Sequence, residues 1–116
     1  MTDDPYAGTV LPVTDATYIA RVVDCPLPVL LAFLQTPSSS SLAMMPVLAE
    51  VAQKRYATLR VALVDVAANP VTVGRWGVSR NPTMLFFSRG TVQRVLLGVR
   101  PAARLLDEID EALAIP

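Results

Sequence analysis

The sequence predicts a mixed α/β domain built on a five-stranded sheet, and three observations predict it. Apolar runs at 29–34 and 59–66 are continuous, the pattern of strands covered on both faces. Segments with helical spacing lie before, between and after them, so those strands need crossover connections and pair in parallel. The chain then ends in two strand-like runs joined by Ser88-Arg89-Gly90, a hairpin, and a final amphipathic helix.

The elements follow in order. Residues 1–8 read as a loose polar tail, and 9–116 as one domain. A short β-like run at 9–13 precedes Thr14-Asp15, an expected N-cap. A helix is expected over 15–24, with Tyr18, Ile19, Val22 and Val23 on its apolar side, ended by Cys25-Pro26-Leu27-Pro28. The strand Val29–Leu34 leads to Thr36-Pro37 and four serines. The next helix is expected over 42–56, apolar at Leu42, Met45, Leu48, Val51 and Ala52, with Pro46 kinking it.

After the strand at 59–66, Asn69-Pro70 supplies an N-cap and an N1 proline for a short helix to Trp76, closed by Gly77. Asn81-Pro82 precedes a strand at 83–87, and its hairpin partner follows at 91–97. Gly98 interrupts, and Pro101 opens a last helix with Leu105, Leu106, Ile109, Ala112 and Leu113 on one face. The order is β-α-β-α-β-α-β-β-α: five strands flanked by four helices.

Composition excludes several functions. Among 116 residues, 53% are hydrophobic and 17% charged, too apolar for a disordered chain. Ten basic and ten acidic residues cancel, so no basic footprint points to nucleic acid or an anionic membrane. The chain has no His, which removes the commonest general base and metal ligand. Its one Cys can form neither an internal disulfide nor a Cys-based zinc site. The acidic start, Met-Thr-Asp-Asp-Pro, does not read as a signal peptide, and no apolar run approaches membrane-spanning length. The expectation is a cytoplasmic domain without a cofactor. The mean hydropathy of +0.45 suggests apolar surface for a partner, as a monomer or weak homodimer.

Several motifs in register resemble the thioredoxin family. Phe33-Leu34-Gln35-Thr36-Pro37-Ser38-Ser39-Ser40-Ser41 resembles that family's Phe-x-x-x-Trp-Cys-Gly-Pro-Cys segment, and Pro46-Val47-Leu48-Ala49-Glu50 its Pro-x-Leu-x-Glu. Val64-Asp65-Val66-Ala67-Ala68-Asn69-Pro70 resembles Val-Asp-x-x-x-Asn-Pro, and Trp76-Gly77-Val78-Ser79-Arg80-Asn81-Pro82-Thr83 resembles Tyr-Gly-Val-x-x-x-Pro-Thr. Gly98 resembles the later strand–helix glycine. The resemblance implies the thioredoxin fold, with a cis Asn81-Pro82 bond facing the active site.

It also shows what has departed. Family chemistry needs a thiolate at a helix N-terminus and a second, resolving thiol. Ser38 and Ser41 stand at those positions. A serine hydroxyl barely ionises near neutral pH and cannot cycle through a disulfide. The family's buried Asp resembles Ala32, its nearby Lys resembles Leu63, and its Trp before the first thiol resembles Pro37. Two readings follow. In one, the domain has naturally lost its redox site and binds an extended protein segment in the groove of Pro37, Ser38, Asn81, Pro82, Gly98 and Val99. In the other, it is a thiol-disulfide oxidoreductase whose two cysteines are replaced here by serine.

The remaining features read as structural. The serines are expected to cap a helix rather than bind an anion, and Cys25 to be a small buried apolar residue. Trp76 is expected in the core or at its rim, and Met44 and Met45 in the core. Arg75, Arg80, Arg89, Arg94, Arg100 and Arg104 are expected on a solvated face.

Overall fold

The computed structural model describes residues 5–35, 38–79 and 82–114. Strands β1 (Val10–Pro12), β2 (Val29–Leu34), β3 (Arg60–Asp65), β4 (Thr83–Ser88) and β5 (Thr91–Leu97) form one sheet in the order β1-β3-β2-β4-β5. The β1–β3 and β3–β2 pairs are parallel, and β2–β4 and β4–β5 are antiparallel. Four helical elements flank it: α1 (Ile19–Val23), α2 (Ser39–Lys54), α3 (Pro70–Trp76) and α4 (Ala102–Ala114).

Strand β2 is central and every residue in it is buried. Side chains alternate across a strand. Leu30, Ala32 and Leu34 therefore pack with α2 and α4, against Met44, Leu48, Val51, Leu105 and Ile109. Val29, Leu31 and Phe33 pack in the opposite layer with Tyr18, Val22, Cys25 and Phe87. Phe33, Phe86 and Phe87 are the largest fully enclosed side chains. Each such burial is worth roughly 1.5–3 kcal/mol, so these layers dominate stability.

Two helices differ from expectation. The predicted helix over 15–24 shrinks to turns and the single π-type turn of α1, which buries Val22. Asp15 does not cap it, because its carboxylate is committed elsewhere. Thr14 instead receives local support, its amide donating to Thr17 Oγ1 at 2.9 Å. In α2 the buried face is Ser41, Met44, Leu48, Val51 and Ala52. Leu42 and Met45, predicted inward, are 56% and 36% exposed. Ser41 holds the core position at the first turn and rotates them outward. The helix runs on through Pro46, whose missing amide falls opposite exposed Leu42.

Among the described residues no helix is long and apolar enough to cross a membrane.

Candidate functional site

The site is built where β2 ends and β4 begins. Parallel β3 and antiparallel β4 flank β2, with Phe33 opposite Thr83. The loop after β2 and the start of β4 thus meet at one end of the sheet. Ser38 sits there in extended conformation and caps α2, its Oγ accepting from the Ser41 amide at 3.2 Å. Ser38 is half-buried. Ser41 lies one turn on, wholly buried, its Oγ accepting from the Gln35 amide at 3.0 Å. One hydroxyl closes the helix start, and the other ties that helix to the end of β2. Both are engaged as neutral acceptors.

Pro82 is buried, and its carbonyl accepts from the Gly98 amide at 3.0 Å. Gly98 has φ of 91°, a backbone that side-chain-bearing residues rarely adopt. A Cβ there would meet nothing within 4 Å, so the requirement is conformational rather than spatial. Val99 beside it is 50% exposed. The structure therefore joins Pro82, Gly98 and Val99 directly and sets Ser38 at the same sheet end. Pro37, Asn81 and the Asn81-Pro82 bond lie outside the described residues.

Sequence reasoning missed the anchor of this rim. Arg100, assigned to a solvated face, is 8% exposed. Its Nη1 donates to both carboxylate oxygens of Glu108, at 2.8 and 2.6 Å. Its Nε donates to the Gly98 carbonyl at 3.4 Å, and its Nη2 to that of Leu97. One guanidinium thus pins the chain at Gly98 to α4. No local spacing rule links residues eight apart across a helix start, so the pair was not legible. Arg94 and Arg104 also meet α4 carboxylates, of Glu111 and Glu108.

The floor beneath the serines is apolar. Ala32 and Leu63 are register partners across β2–β3, packed in the layer of α2 and α4. No charged group occupies either position. Cys25 is 4% exposed and precedes β2 at the opposite end of the sheet. Six strand residues, roughly 17–20 Å, separate it from the serine end. It cannot act there without large rearrangement.

Among the described residues, one titratable group is clearly perturbed, and it lies against the start of α3. The expected cap, Asn69, makes no side-chain cap bond; its Nδ2 donates to the Asp65 carbonyl and its Oδ1 accepts from the Asp15 amide. Asp15 supplies the cap instead. Its carboxylate accepts from the Val71 amide at 3.1 Å, the Thr72 amide at 2.8 Å and Thr72 Oγ1 at 2.7 Å. Desolvation pushes its pKa up, and the bonds from Thr72 and Val71 outweigh that, holding it below the ordinary aspartate value. Trp76, at the other end of α3, is 37% exposed. It donates to Tyr18 Oη at 3.0 Å and meets Phe87 edge-on at 5.6 Å, a rim position. Met44 is buried as expected.

The sequence matches the Thioredoxin family model over residues 9–111. It is 34% identical over 113 residues to a thioredoxin of Mycobacterium tuberculosis, covering 97% of each chain. It has the same identity to a bifunctional thioredoxin reductase/thioredoxin of Mycobacterium leprae, of which it spans 25%. Thioredoxin 1 of Synechococcus elongatus is 29% identical over 101 residues, covering 87% of this chain and 94% of the relative. The chain belongs to the thioredoxin family, and its sheet order and flanking helices are the thioredoxin fold.

Proposed function

We propose that this thioredoxin-family domain is a cytoplasmic protein-binding module that does no dithiol chemistry. One observation carries the reading: both family thiol positions hold serine hydroxyls already engaged in structural hydrogen bonds. Pro82, Gly98 and exposed Val99 meanwhile retain a formed rim. Such a rim suits an extended segment of another protein, paired through backbone bonds. The reading expects Pro37 and Asn81 to complete the groove. An NMR titration with defined extended peptides tests it. Shifts should concentrate at Ser38, Thr83, Gly98 and Val99, and Val99→Asp should abolish them. Shifts that survive this substitution, or a library in which no peptide moves those signals, would overturn the reading.

A second reading has one observation behind it. Ser38 caps α2 and Ser41 follows one turn later, the frame a reactive dithiol at a helix N-terminus requires. If the native residues are cysteines, a Ser38→Cys/Ser41→Cys variant should reduce insulin disulfides. Its first thiolate would attack the substrate disulfide, the second would displace the reduced substrate, and dithiothreitol would reduce the resulting internal disulfide. An inactive, folded variant would remove this reading.

A further inference from the structure

The sheet has two edges, and they are guarded differently. At one edge β1 is three residues long and ends in Pro12, whose carbonyl accepts from Arg21 Nη1 at 2.9 Å. At the other, β5 runs for seven residues without proline, and no described strand pairs with its outer side. Short strands, prolines and inward charges are the usual protections of an edge. On the α3 side, β5 presents apolar residues: Val95 is 56% and Leu97 49% exposed. They line an open groove of about 420 Å³ with Val92, Leu85, Val78 and Trp76.

Charge identifies the occupant. From residue 66 to residue 106 there is no Asp or Glu, while six arginines fall there. Arg94, Arg100 and Arg104 are spent on the carboxylates of α4. Arg75 and Arg89 have no carboxylate partner among the described residues. Arg75 lies over the Tyr18 ring, beside the Trp76 wall, and Arg89 is in the turn that opens β5. Asp15 caps the helix that carries Arg75, and Asp24 follows Val23, whose carbonyl adjoins the Gly90 turn. Yet neither pairs with Arg75 or Arg89, which leaves two cations near an apolar groove for a partner's carboxylates.

We propose that the outer edge of β5 and this groove dock an extended, acidic segment of a partner protein, which adds to the sheet as a further strand. Backbone pairing would supply register. Alternate apolar side chains would enter the groove, and flanking carboxylates would meet Arg75 and Arg89. This surface adjoins the rim at Thr83 and Leu97 but runs from there along β5 towards Val92, away from Ser38, and the proposal stands without that reading.

The probe is a short synthetic peptide of alternating valine and threonine flanked by glutamates, compared with the same peptide flanked by lysines. Trp76 is the only tryptophan, so its fluorescence reports the groove directly. The acidic peptide should shift Trp76 emission and the amides of Thr91–Leu97. It should bind about tenfold more tightly than the basic one, with the gap closing at high salt. Arg75→Gln/Arg89→Asn should erase the preference, Asn being tolerated at the positive φ of residue 89. Val95→Asn, a neutral change on an exposed side chain, should weaken binding of both peptides. Equal binding of the two peptides, shifts confined to Ser38 and Val99, or a dimer of this chain occupying the β5 edge in sedimentation would each overturn the proposal.

Discussion

The N-termini of α2 and α3 solve the same problem in opposite ways. Each begins with amides that have no partner inside the helix. At α2 the solution is local and neutral: Ser38 accepts from Ser41, three residues on. At α3 it is remote and anionic: Asp15 reaches across 57 residues of sequence to Thr72. The local cap stands at the candidate site and leaves that end of the sheet without a carboxylate cap. The remote cap knits α3 to the loop after β1 and titrates. The contrast shows two ways of satisfying the same orphan amides within one fold. The serines at the site hold neutral structural bonds, and the charged cap is at the other helix.

Breaking the remote cap should have the largest effect. Asp15→Ala leaves two amides and a hydroxyl without their acceptor, so its melting temperature should fall further than that of the alanine variants at Ser41 and Ser38. Ser41→Ala removes a wholly buried hydroxyl and leaves the Gln35 amide without this acceptor, and should cost about 1–2 kcal/mol in urea unfolding. Ser38→Ala removes one half-buried cap bond and should cost about 1 kcal/mol. An order in which Ser38→Ala exceeds Asp15→Ala would reverse the comparison.

The two caps should also separate by pH. Asp15 has its folded pKa below its unfolded value, so its contribution is fully present above the unfolded pKa. It is lost as pH falls from the ordinary aspartate value through the lowered one. Thermal melts at falling pH should therefore show Asp15→Asn converging on the native chain at the acid end. Ser38→Ala should keep a constant offset. At the rim, Glu108→Ala strands a nearly buried guanidinium and should destabilise by about 2–3 kcal/mol, with Gly98 amide exchange speeding up. That result would separate rim anchoring from both caps.

The legible parts of the molecule were those that local rules govern. β2 was read to the residue, because a fully buried strand is a continuous apolar run. The short helix opened by Pro70 and closed by Gly77 was equally plain, since Gly77 takes φ of 60°. The serine positions followed from unbroken spacing between β2 and Pro46. What escaped depended on partners distant in sequence. Thr14-Asp15 looked like a helix start because Asp is a good local cap, and nothing nearby revealed that Thr72 would claim it. Leu42 was placed inward because its apolar character outweighed Ser41 in the pattern; Ser41 won the core position through a bond to Gln35. Arg100 looked like surface because its carboxylate partner lies beyond a helix boundary.

The chain holds the thioredoxin frame, and the central proposal is that it does so without that family's disulfide chemistry. Insulin reduction driven by dithiothreitol, with the chain in its present sequence, tests it most directly. The account predicts precipitation of insulin no faster than with the reductant alone, and an intact Cys25 thiol throughout. Acceleration by the chain, or a mixed disulfide formed on Cys25, would contradict it.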